Sequence, residues 1–197
     1  MELGKKEFDA MQSRSRKWMI RNFEYRLFKK FGMKLRCKEV LEIGCGSGYA
    51  ASLITDAKPV RYVGVDIMQE QLDIAEQRNL ENAVFIKRDA SDLSCFEDAS
   101  FDYVVIFAIL HHVEGWKSTI KECNRILRDG GSIFVHEPSR WFIHIWDKLF
   151  KWGHAEEPLF TLAEFEQQAH RCGFVTVHKR NFFTAAGVYR FRKQAEE

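Results

Sequence analysis

Residues Val40 to Ala51 read VLEIGCGSGYAA, and this stretch decides the fold of the chain. Its first part is an apolar run, which is typical of a strand buried on both faces. Glycines follow at positions 44, 46 and 48, where the lack of a Cβ permits positive φ and close approach of a ligand to the backbone. A helix is predicted from Tyr49 onward. A strand, a glycine turn and a helix at the carboxyl edge of a parallel sheet are where α/β proteins bind nucleotide-like ligands.

The rest of the chain alternates between predicted strands and helices. Apolar runs predict strands near 39–43, 61–65, 83–87, 101–107, 132–137, 174–180 and 186–192. Helical spacing predicts helices near 5–31, 49–56, 69–79, 116–128 and 162–172. Thr161 and Glu164 form a possible capping box before the last helix, and a hairpin fits the short link from Asn181 to Ala186. The alternation predicts an α/β fold, a doubly wound, mostly parallel sheet with helices on both faces.

Several short motifs follow one another in a characteristic order. The first is E-x-G-x-G-x-G, formed by Glu42, Gly44, Gly46 and Gly48. The later ones are Val63-Gly64-Val65-Asp66, Arg88-Asp89-Ala90, Phe101-Asp102-Tyr103-Val104-Val105, Leu110-His111-His112-Val113 and Arg125-Ile126-Leu127-Arg128-Asp129-Gly130-Gly131. Together they cover residues 38–138 and resemble class I S-adenosylmethionine-dependent methyltransferases. The best local match is to the group that contains the ubiquinone and menaquinone C-methyltransferases. The resemblance implies a Rossmann-like seven-stranded sheet with an antiparallel last strand, and S-adenosylmethionine as cofactor, with S-adenosylhomocysteine as its product.

The resemblance also implies which residues bind the cofactor. Glu42 would orient the turn and hold water or the ammonium group of the cofactor, and Asp66 would accept both ribose hydroxyls. Ile67 would contact the adenine face, and the Asp89 side chain and the Ala90 backbone would bind the adenine edge. Asp66 and Asp89 can also be interpreted as a strand-end acid and a turn acid, and Cys45 as a small residue that fits the turn. The complete predicted set is Glu42, Gly44, Cys45, Gly46, Gly48, Asp66, Ile67, Asp89, Ala90 and Phe107.

A competing pattern lies within the same stretch. Residues Gly46 to Ala51 match the dinucleotide fingerprint G-x-G-x-x-[GA], and Asp66 lies at a suitable distance for that interpretation. The turn, however, has an additional glycine at Gly44, and Glu42 has no role in a dinucleotide site. The later motifs also follow the methyltransferase order. An oxidoreductase is therefore the less favoured prediction.

The sequence identifies catalytic residues less clearly than cofactor-binding residues. His111 and His112 follow the fourth strand, where substrate is expected, and a histidine suits a general base near neutral pH. Orientation of the loop is the alternative role for either. Glu137 and His136, at the end of the fifth strand, could also contact substrate. No metal site is predicted, because no third ligand accompanies the two histidines.

The segment from Ser139 to Pro158 is the predicted specificity element. Its apolar residues fall on one face of a helix, and its polar residues are mostly basic. Three interpretations remain open: a helix packed on the domain, an aromatic lid over an apolar substrate, and an amphipathic helix on a membrane surface. The apolar residues are Trp141, Phe142, Ile145, Trp146, Leu149 and Phe150.

Composition bounds the remaining possibilities. The 197 residues fit a single domain, which divides into an N-terminal helical cap (1–37), a cofactor-binding core (38–138), a lid or insert (139–158) and a C-terminal helix with a strand pair (159–197). Residues 1–40 hold twelve Lys or Arg and five Asp or Glu, although the net charge of the chain is only +2. Five cysteines without a C-x-x-C pair favour neither disulfides nor zinc, and a cytoplasmic location is expected.

The sequence thus predicts methyl transfer from S-adenosylmethionine to a small, apolar or aromatic molecule. One alternative is a module that binds S-adenosylmethionine or S-adenosylhomocysteine without catalysis. Another is an RNA methyltransferase that uses the basic first segment, although nucleic acid is the less expected partner. Peripheral membrane contact is possible, and neither the oligomeric state nor the methylated atom can be predicted from the sequence.

Overall fold

The computed structural model describes residues 12–150 and 160–195. Parts of the predicted segments 5–31 and 139–158 therefore lie outside the described residues. The helices are α1 (Arg14–Met19), a π-helical segment (Ile20–Glu24), α2 (Tyr25–Lys30), α3 (Tyr49–Thr55), α4 (Gln69–Glu76), a 3-10 turn (Leu110–His112), α5 (Trp116–Ile126), α6 (Arg140–Phe150) and α7 (Leu162–Arg171). The strands are β1 (Glu39–Ile43), β2 (Arg61–Asp66), β3 (Ala83–Lys87), β4 (Phe101–Phe107), β5 (Leu127–Pro138), β6 (Phe174–Phe182) and β7 (Ala186–Lys193).

The seven strands form one sheet in the order β3-β2-β1-β4-β5-β7-β6. Strands β1 to β5 pair in parallel, and β7 is antiparallel to both of its neighbours. This arrangement confirms the predicted α/β sheet with an antiparallel last strand. The chain runs outward from β1 in one direction and resumes at β4 on the other side, so that a crevice forms between the carboxyl ends of β1 and β4. Such a reversal of strand order is the usual ligand position in open α/β sheets.

Two apolar clusters cover the two faces of this sheet. Leu41 and Ile43 of β1 contribute to one cluster, together with side chains of α5 and α7. Val40 contributes to the other, together with the first helices and α3. Because side chains alternate along a strand, Glu42 points to the same face as Val40, beneath the first helices.

The first helices differ from the simple helix that the spacing predicts. The stretch 14–30 is helical, but its middle five residues, Ile20–Glu24, form a π-helix. Leu27 and Phe28 are buried, whereas Trp18 has 66% of its surface exposed. A π-helical turn contains an additional residue, which shifts the faces of the helix on either side of it.

The ends of the later elements largely follow the predictions. The capping box of Thr161 and Glu164 is present at the start of α7, and β6 and β7 pair as a hairpin. The helix predicted over 116–128 ends at Ile126, and β5 begins at Leu127 rather than near 132. Leu127 already has an extended backbone and pairs with Phe101 before a shift in register.

Candidate functional site

A pocket opens at the carboxyl ends of β1 and β4. It encloses about 580 Å³ of space when the open solvent at its mouth is counted. The glycine turn after β1 forms one side, the residues after β4 form another, and the first helices reach it from above. Its lining residues are Arg16, Ile20, Glu42, Gly44, Cys45, Gly46, Ser47, Tyr49, Ala50, Gln71, Phe107, Ala108, Ile109 and His112.

Two glycines of the turn are required by close packing. A Cβ on Gly44, where φ is +69°, would lie 2.4 Å from a side-chain carbon of Ile109. A Cβ on Gly48, where φ is +71°, would lie 2.9 Å from the Cβ of Ala75. Real Cβ atoms do not approach neighbours this closely, so larger residues would push the turn away from the β4 loop and from α4. The two positions therefore fix the shape of the pocket.

Asp66, at the end of β2, holds the turn in place. Its Oδ2 accepts a hydrogen bond from the backbone N–H of Gly46 at 2.8 Å, and its Oδ1 accepts one from Met68 at 2.9 Å. Burial raises the pKa of the Asp66 carboxyl, while the backbone N–H groups of Met68, Gly46 and Ile67 counteract that rise. The side chain thus organises two loops at the edge of the pocket.

Glu42 places a buried carboxyl group on the pocket wall. Tyr62 donates a hydrogen bond from its hydroxyl to Glu42 Oε2 at 2.6 Å. Burial raises the pKa of Glu42 to about 8, and the hydrogen bond from Tyr62 offsets only part of that rise. The carboxyl group is therefore largely protonated at neutral pH in the free protein, and a cation in the pocket would favour its ionised form.

Gln71, on α4, contributes a buried amide without a partner. Only 1% of the residue is exposed, and neither its amide oxygen nor its amide nitrogen has a hydrogen-bond partner among the described residues. Its Oε1 lies 3.8 Å from the position that a Cβ on Gly46 would occupy. Leaving a polar group buried and unpaired costs about 1–3 kcal/mol, and a ligand with polar groups in the pocket would satisfy this amide.

A buried ion cluster joins the first helices to the pocket. Arg16 donates to Glu24 Oε1 at 2.7 Å and to the carbonyl of Phe107 at 2.8 Å. His136 Nδ1 lies 2.7 Å from the same Glu24 oxygen. Burial alone would raise the pKa of Glu24, but the charges of His136 and Arg16 outweigh it and hold that pKa below its usual value. The cluster fixes the Arg16 guanidinium at the pocket wall.

The two predicted catalytic histidines have different surroundings. His112 lines the pocket. His111 is buried, does not belong to the lining, and its Nδ1 lies 2.9 Å from Glu137 Oε2. Glu137 also accepts hydrogen bonds from the backbone N–H groups of Ile109 and Leu110. The interpretation that His136 or Glu137 contacts substrate is thus not supported. The His136 imidazole lies against Glu24, and the Glu137 carboxylate is bound to the loop after β4.

Other predicted cofactor residues lie outside this lining. Ile67 is partly exposed after β2. Asp89 is exposed, and its Oδ1 accepts hydrogen bonds from the backbone N–H and the hydroxyl of Ser91. Ala90 follows it at the carboxyl end of the neighbouring strand β3. These residues lie along the same edge of the sheet beyond Asp66, which, like Gly48, is also absent from the lining. Cys45 is in the lining, but burial raises the pKa of its thiol well above the ordinary value, so it is not a thiolate nucleophile.

Sequence reasoning missed Arg16, Ile20 and Gln71. These residues lie on helical segments, outside the motifs that predict the site. One signal was available for Arg16: Glu24 is the only acidic residue between positions 12 and 30, and a lone acid among bases is a candidate ion-pair partner.

The described residues contain neither a metal-binding cluster nor a membrane-spanning helix. Within residues 12–150 and 160–195, no group of three or more His, Cys, Asp or Glu side chains could hold a metal ion. In the same part of the chain, no helix is both long and apolar enough to cross a membrane.

Comparison with known proteins agrees with this geometry. Residues 41–135 match the family described as "Methyltransferase domain". A relative from Mycolicibacterium smegmatis, named "Probable S-adenosylmethionine-dependent methyltransferase", is 32% identical over 114 residues, which are 58% of this chain and 43% of that protein. The demethylmenaquinone methyltransferase of Staphylococcus aureus is 30% identical over 129 residues, 64% of this chain and 53% of that protein. The chain thus spans about half the length of these relatives.

A solved structure shows the same fold. The S-adenosylmethionine-dependent methyltransferase of Methanosarcina mazei superposes with a TM-score of 0.72 at 24% identity, covering 87% of this chain and 99% of that one. The glycine turn, the acidic strand end and the pocket between β1 and β4 all lie within or beside the matched region. Residues 41–135 of this chain therefore match the methyltransferase domain family, and the chain shares its fold with a solved S-adenosylmethionine-dependent methyltransferase.

Proposed function

We propose that this chain transfers a methyl group from S-adenosylmethionine to a small apolar or aromatic molecule. The observation that carries the proposal is the composition of the pocket. Its floor carries a buried carboxyl group, Glu42, and an unpaired buried amide, Gln71, while Ile20, Phe107 and Ile109 supply an apolar wall. A polar floor suits the cofactor, and an apolar wall suits the acceptor.

The pocket residues fit the chemical groups of the cofactor. In this proposal the Glu42 carboxylate pairs with the ammonium group, and the Arg16 guanidinium pairs with the carboxylate of the methionine part. Asp66 and Gln71 bind the ribose hydroxyls, and Ile67, Asp89 and Ala90 extend the site toward the adenine. The cofactor supplies an electrophilic methyl group on a sulfonium.

The chain then has to align the acceptor and exclude water. Phe107 and Ile109 exclude water from the acceptor side of the pocket. His112 is the proposed general base for acceptors that must lose a proton. His111 acts only as a positioning residue, since it joins Glu137 to the loop that carries His112.

The class of acceptor is supported by one relative and by the pocket wall. The Staphylococcus aureus relative is named for methylation of demethylmenaquinone, which favours a quinone-like acceptor. An acceptor of this kind matches the apolar side chains that line the pocket.

The proposal is tested with S-adenosylmethionine labelled in its methyl group. The protein is incubated with hydroquinones, phenols, amines or total RNA, and label is measured in an organic extract and in precipitated RNA. Label in the extract with a hydroquinone or phenol supports the proposal. His112→Ala should lower its rate by about 100-fold or more if a proton must be removed, while cofactor affinity stays unchanged.

Two other results would contradict the proposal. Cofactor binding without label in any acceptor would indicate a binding module without catalysis. Label confined to RNA would indicate an RNA methyltransferase. Either result would leave the fold assignment intact and reject the small-molecule substrate.

A further inference from the structure

Exposed apolar side chains are concentrated on one part of the surface. Nine large apolar residues are exposed within the described residues, and six of them come from α1, α6 and the turn between β6 and β7. Trp141 is 58% exposed and Phe183 is 98% exposed. Contiguous exposed apolar surface on a soluble domain usually marks an interaction site. We call these residues the apolar rim: Trp18, Met19, Trp141, Phe142, Ile145 and Phe183.

The segments that carry the apolar rim are neighbours. Ser139, just before α6, donates from its backbone N–H to Ala185 at 2.7 Å and from its hydroxyl to Thr184, in the β6–β7 turn. Phe182 packs edge-on against Phe23 of the π-helical segment, with ring centroids 4.8 Å apart. Met19 precedes Phe23 by one helical turn, so α1 borders the same surface.

This surface lies at the edge of the sheet where the pocket opens. Pro138, at the carboxyl end of β5, pairs with Ala186 directly after the turn. Arg16 of α1 lines the pocket itself. The apolar rim therefore borders the mouth of the pocket rather than an unrelated face.

The described side chains of α6 are mostly exposed. Among its described side chains only Ile143 is buried, while Trp141, Phe142 and Ile145 are exposed. Trp141, Phe142 and Ile145 therefore expose apolar surface to solvent. An amphipathic helix in this position has an apolar side that can enter a lipid–water interface.

Phe183 is unusual in its backbone as well as its exposure. Its φ is +52°, a conformation that bulky residues adopt only at an energetic cost. Glycine or asparagine would relieve the strain, and a polar residue would remove the exposed ring. Neither folding nor packing accounts for a phenylalanine here, whereas an external apolar partner does.

The charge around the apolar rim points to an anionic partner. Segments 12–30, 139–150 and 178–186 contain eleven Lys or Arg and two acidic residues. Two of these cations are paired, Arg16 with the buried Glu24 and Lys179 with Glu166. Arg14, Arg21, Arg140, Lys148 and Arg180 are exposed. Exposed aromatic residues surrounded by cations are typical of proteins that bind anionic lipid surfaces.

We propose that the apolar rim and its surrounding cations dock the protein onto an anionic lipid membrane, with the mouth of the pocket facing the bilayer. Lipid is favoured over nucleic acid because Met19 and Ile145 provide aliphatic rather than stacking surface. Docking does not depend on catalysis. Only its consequence, that an apolar acceptor enters the pocket from the bilayer, rests on the proposed function.

The test is flotation of the full chain with vesicles of phosphatidylcholine, alone or mixed with phosphatidylglycerol, at near-physiological salt. The protein should partition onto the mixed vesicles and much less onto the neutral ones. Phe183→Gly and Trp141→Ala should each weaken partition about tenfold, because each removes an exposed apolar side chain that membrane docking would bury. Lys148→Glu should weaken it by a similar factor, because it reverses one charge near the anionic surface.

Matched controls lie at the opposite edge of the sheet. Val60→Ser replaces an apolar residue that is 57% exposed just before β2, and Lys58→Glu reverses a nearby exposed charge. Both should leave partition unchanged, and calorimetric affinity for S-adenosylhomocysteine should stay the same in all five variants. Phe183→Gly should fold at least as stably as the parent.

Several outcomes would overturn the proposal. The first is that the protein does not partition onto mixed vesicles, and the second is that it partitions equally onto neutral ones. The third is that the control variants lose as much partition as the rim variants do. Binding of RNA that the rim variants abolish, without vesicle binding, would assign the surface to nucleic acid instead. Because vesicle binding is measured without an acceptor, failure of the methyl-transfer assay would not affect it.

Discussion

The carboxylate of Asp66 accepts a hydrogen bond from the backbone N–H of Gly46 across 2.8 Å, joining the end of β2 to the glycine turn after β1. Its second oxygen accepts from Met68, at the start of α4. One side chain therefore sets the distance between the two loops that border the pocket. Its role in the fold precedes any role toward a ligand.

We expect Asp66→Ala to affect both stability and ligand binding. Two backbone N–H groups lose their acceptor, which should lower the free energy of unfolding by about 1–3 kcal/mol. Binding of S-adenosylhomocysteine should fall by at least tenfold. Urea denaturation and calorimetry measure the two effects. Asp73→Ala, an exposed acid on α4, is the matched control and should change stability by less than about 0.5 kcal/mol. Parental behaviour of the Asp66 variant would refute this role.

Gln71→Leu should separate stability from binding. In the free protein, leucine removes a buried amide that has no partner in the described structure, so the apo protein should become more stable by about 1 kcal/mol. Affinity for S-adenosylmethionine should fall, because the polar contact to the ligand is lost. Thermal unfolding without ligand and calorimetric titration measure these opposite effects. A purely structural glutamine would instead give a less stable apo protein with unchanged affinity.

Glu42 predicts a pH dependence of stability. The pKa of this carboxyl is about 8 in the folded protein, against a usual value of 4.5. The folded state therefore keeps a proton that the unfolded state loses, and stability falls as the pH rises from about 4.5 to about 8. Glu42→Gln cannot ionise at this position, so this loss of stability with rising pH should be absent from the variant. The free energy of unfolding of the variant, relative to that of the parent, should therefore increase with pH up to about 8. Urea midpoints at several pH values test this, and parallel curves would contradict it.

The same residue predicts a proton linkage of binding. If the ammonium group of the cofactor pairs with Glu42, binding at pH 7 should expel the proton from that carboxyl. Calorimetric enthalpies should then vary with the ionisation enthalpy of the buffer in the parent, and not in Glu42→Gln. An enthalpy independent of buffer in both proteins would reject the pairing.

Glu137→Ala should destabilise the loop that carries the histidines. The substitution leaves the N–H groups of Ile109 and Leu110 and the ring of His111 without their shared acceptor in a buried region. Stability should fall by about 3 kcal/mol or more. Glu137→Gln keeps one acceptor oxygen and should lose less. Equal stability of the alanine variant and the parent would show that the carboxylate is not required.

The sequence predicts the strands well because apolar runs and glycines encode them locally. The capping box at Thr161 is a further local signal. The π-helical segment at Ile20–Glu24 could not be predicted, since no feature of the helical spacing marks its additional residue. Gln71 lies in a polar run that spacing assigns to solvent, and only the approach of the glycine turn buries it. His111 and His112 are adjacent in sequence, yet only the loop conformation shows that His112 alone lines the pocket.

The most direct test of the account is calorimetric titration of the purified chain with S-adenosylmethionine, S-adenosylhomocysteine and NAD. We expect the first two to bind with one-to-one stoichiometry and micromolar affinity, and NAD to give no binding heat. Binding of NAD, or no binding of either sulfur ligand, would contradict the assignment of the pocket between β1 and β4 to S-adenosylmethionine.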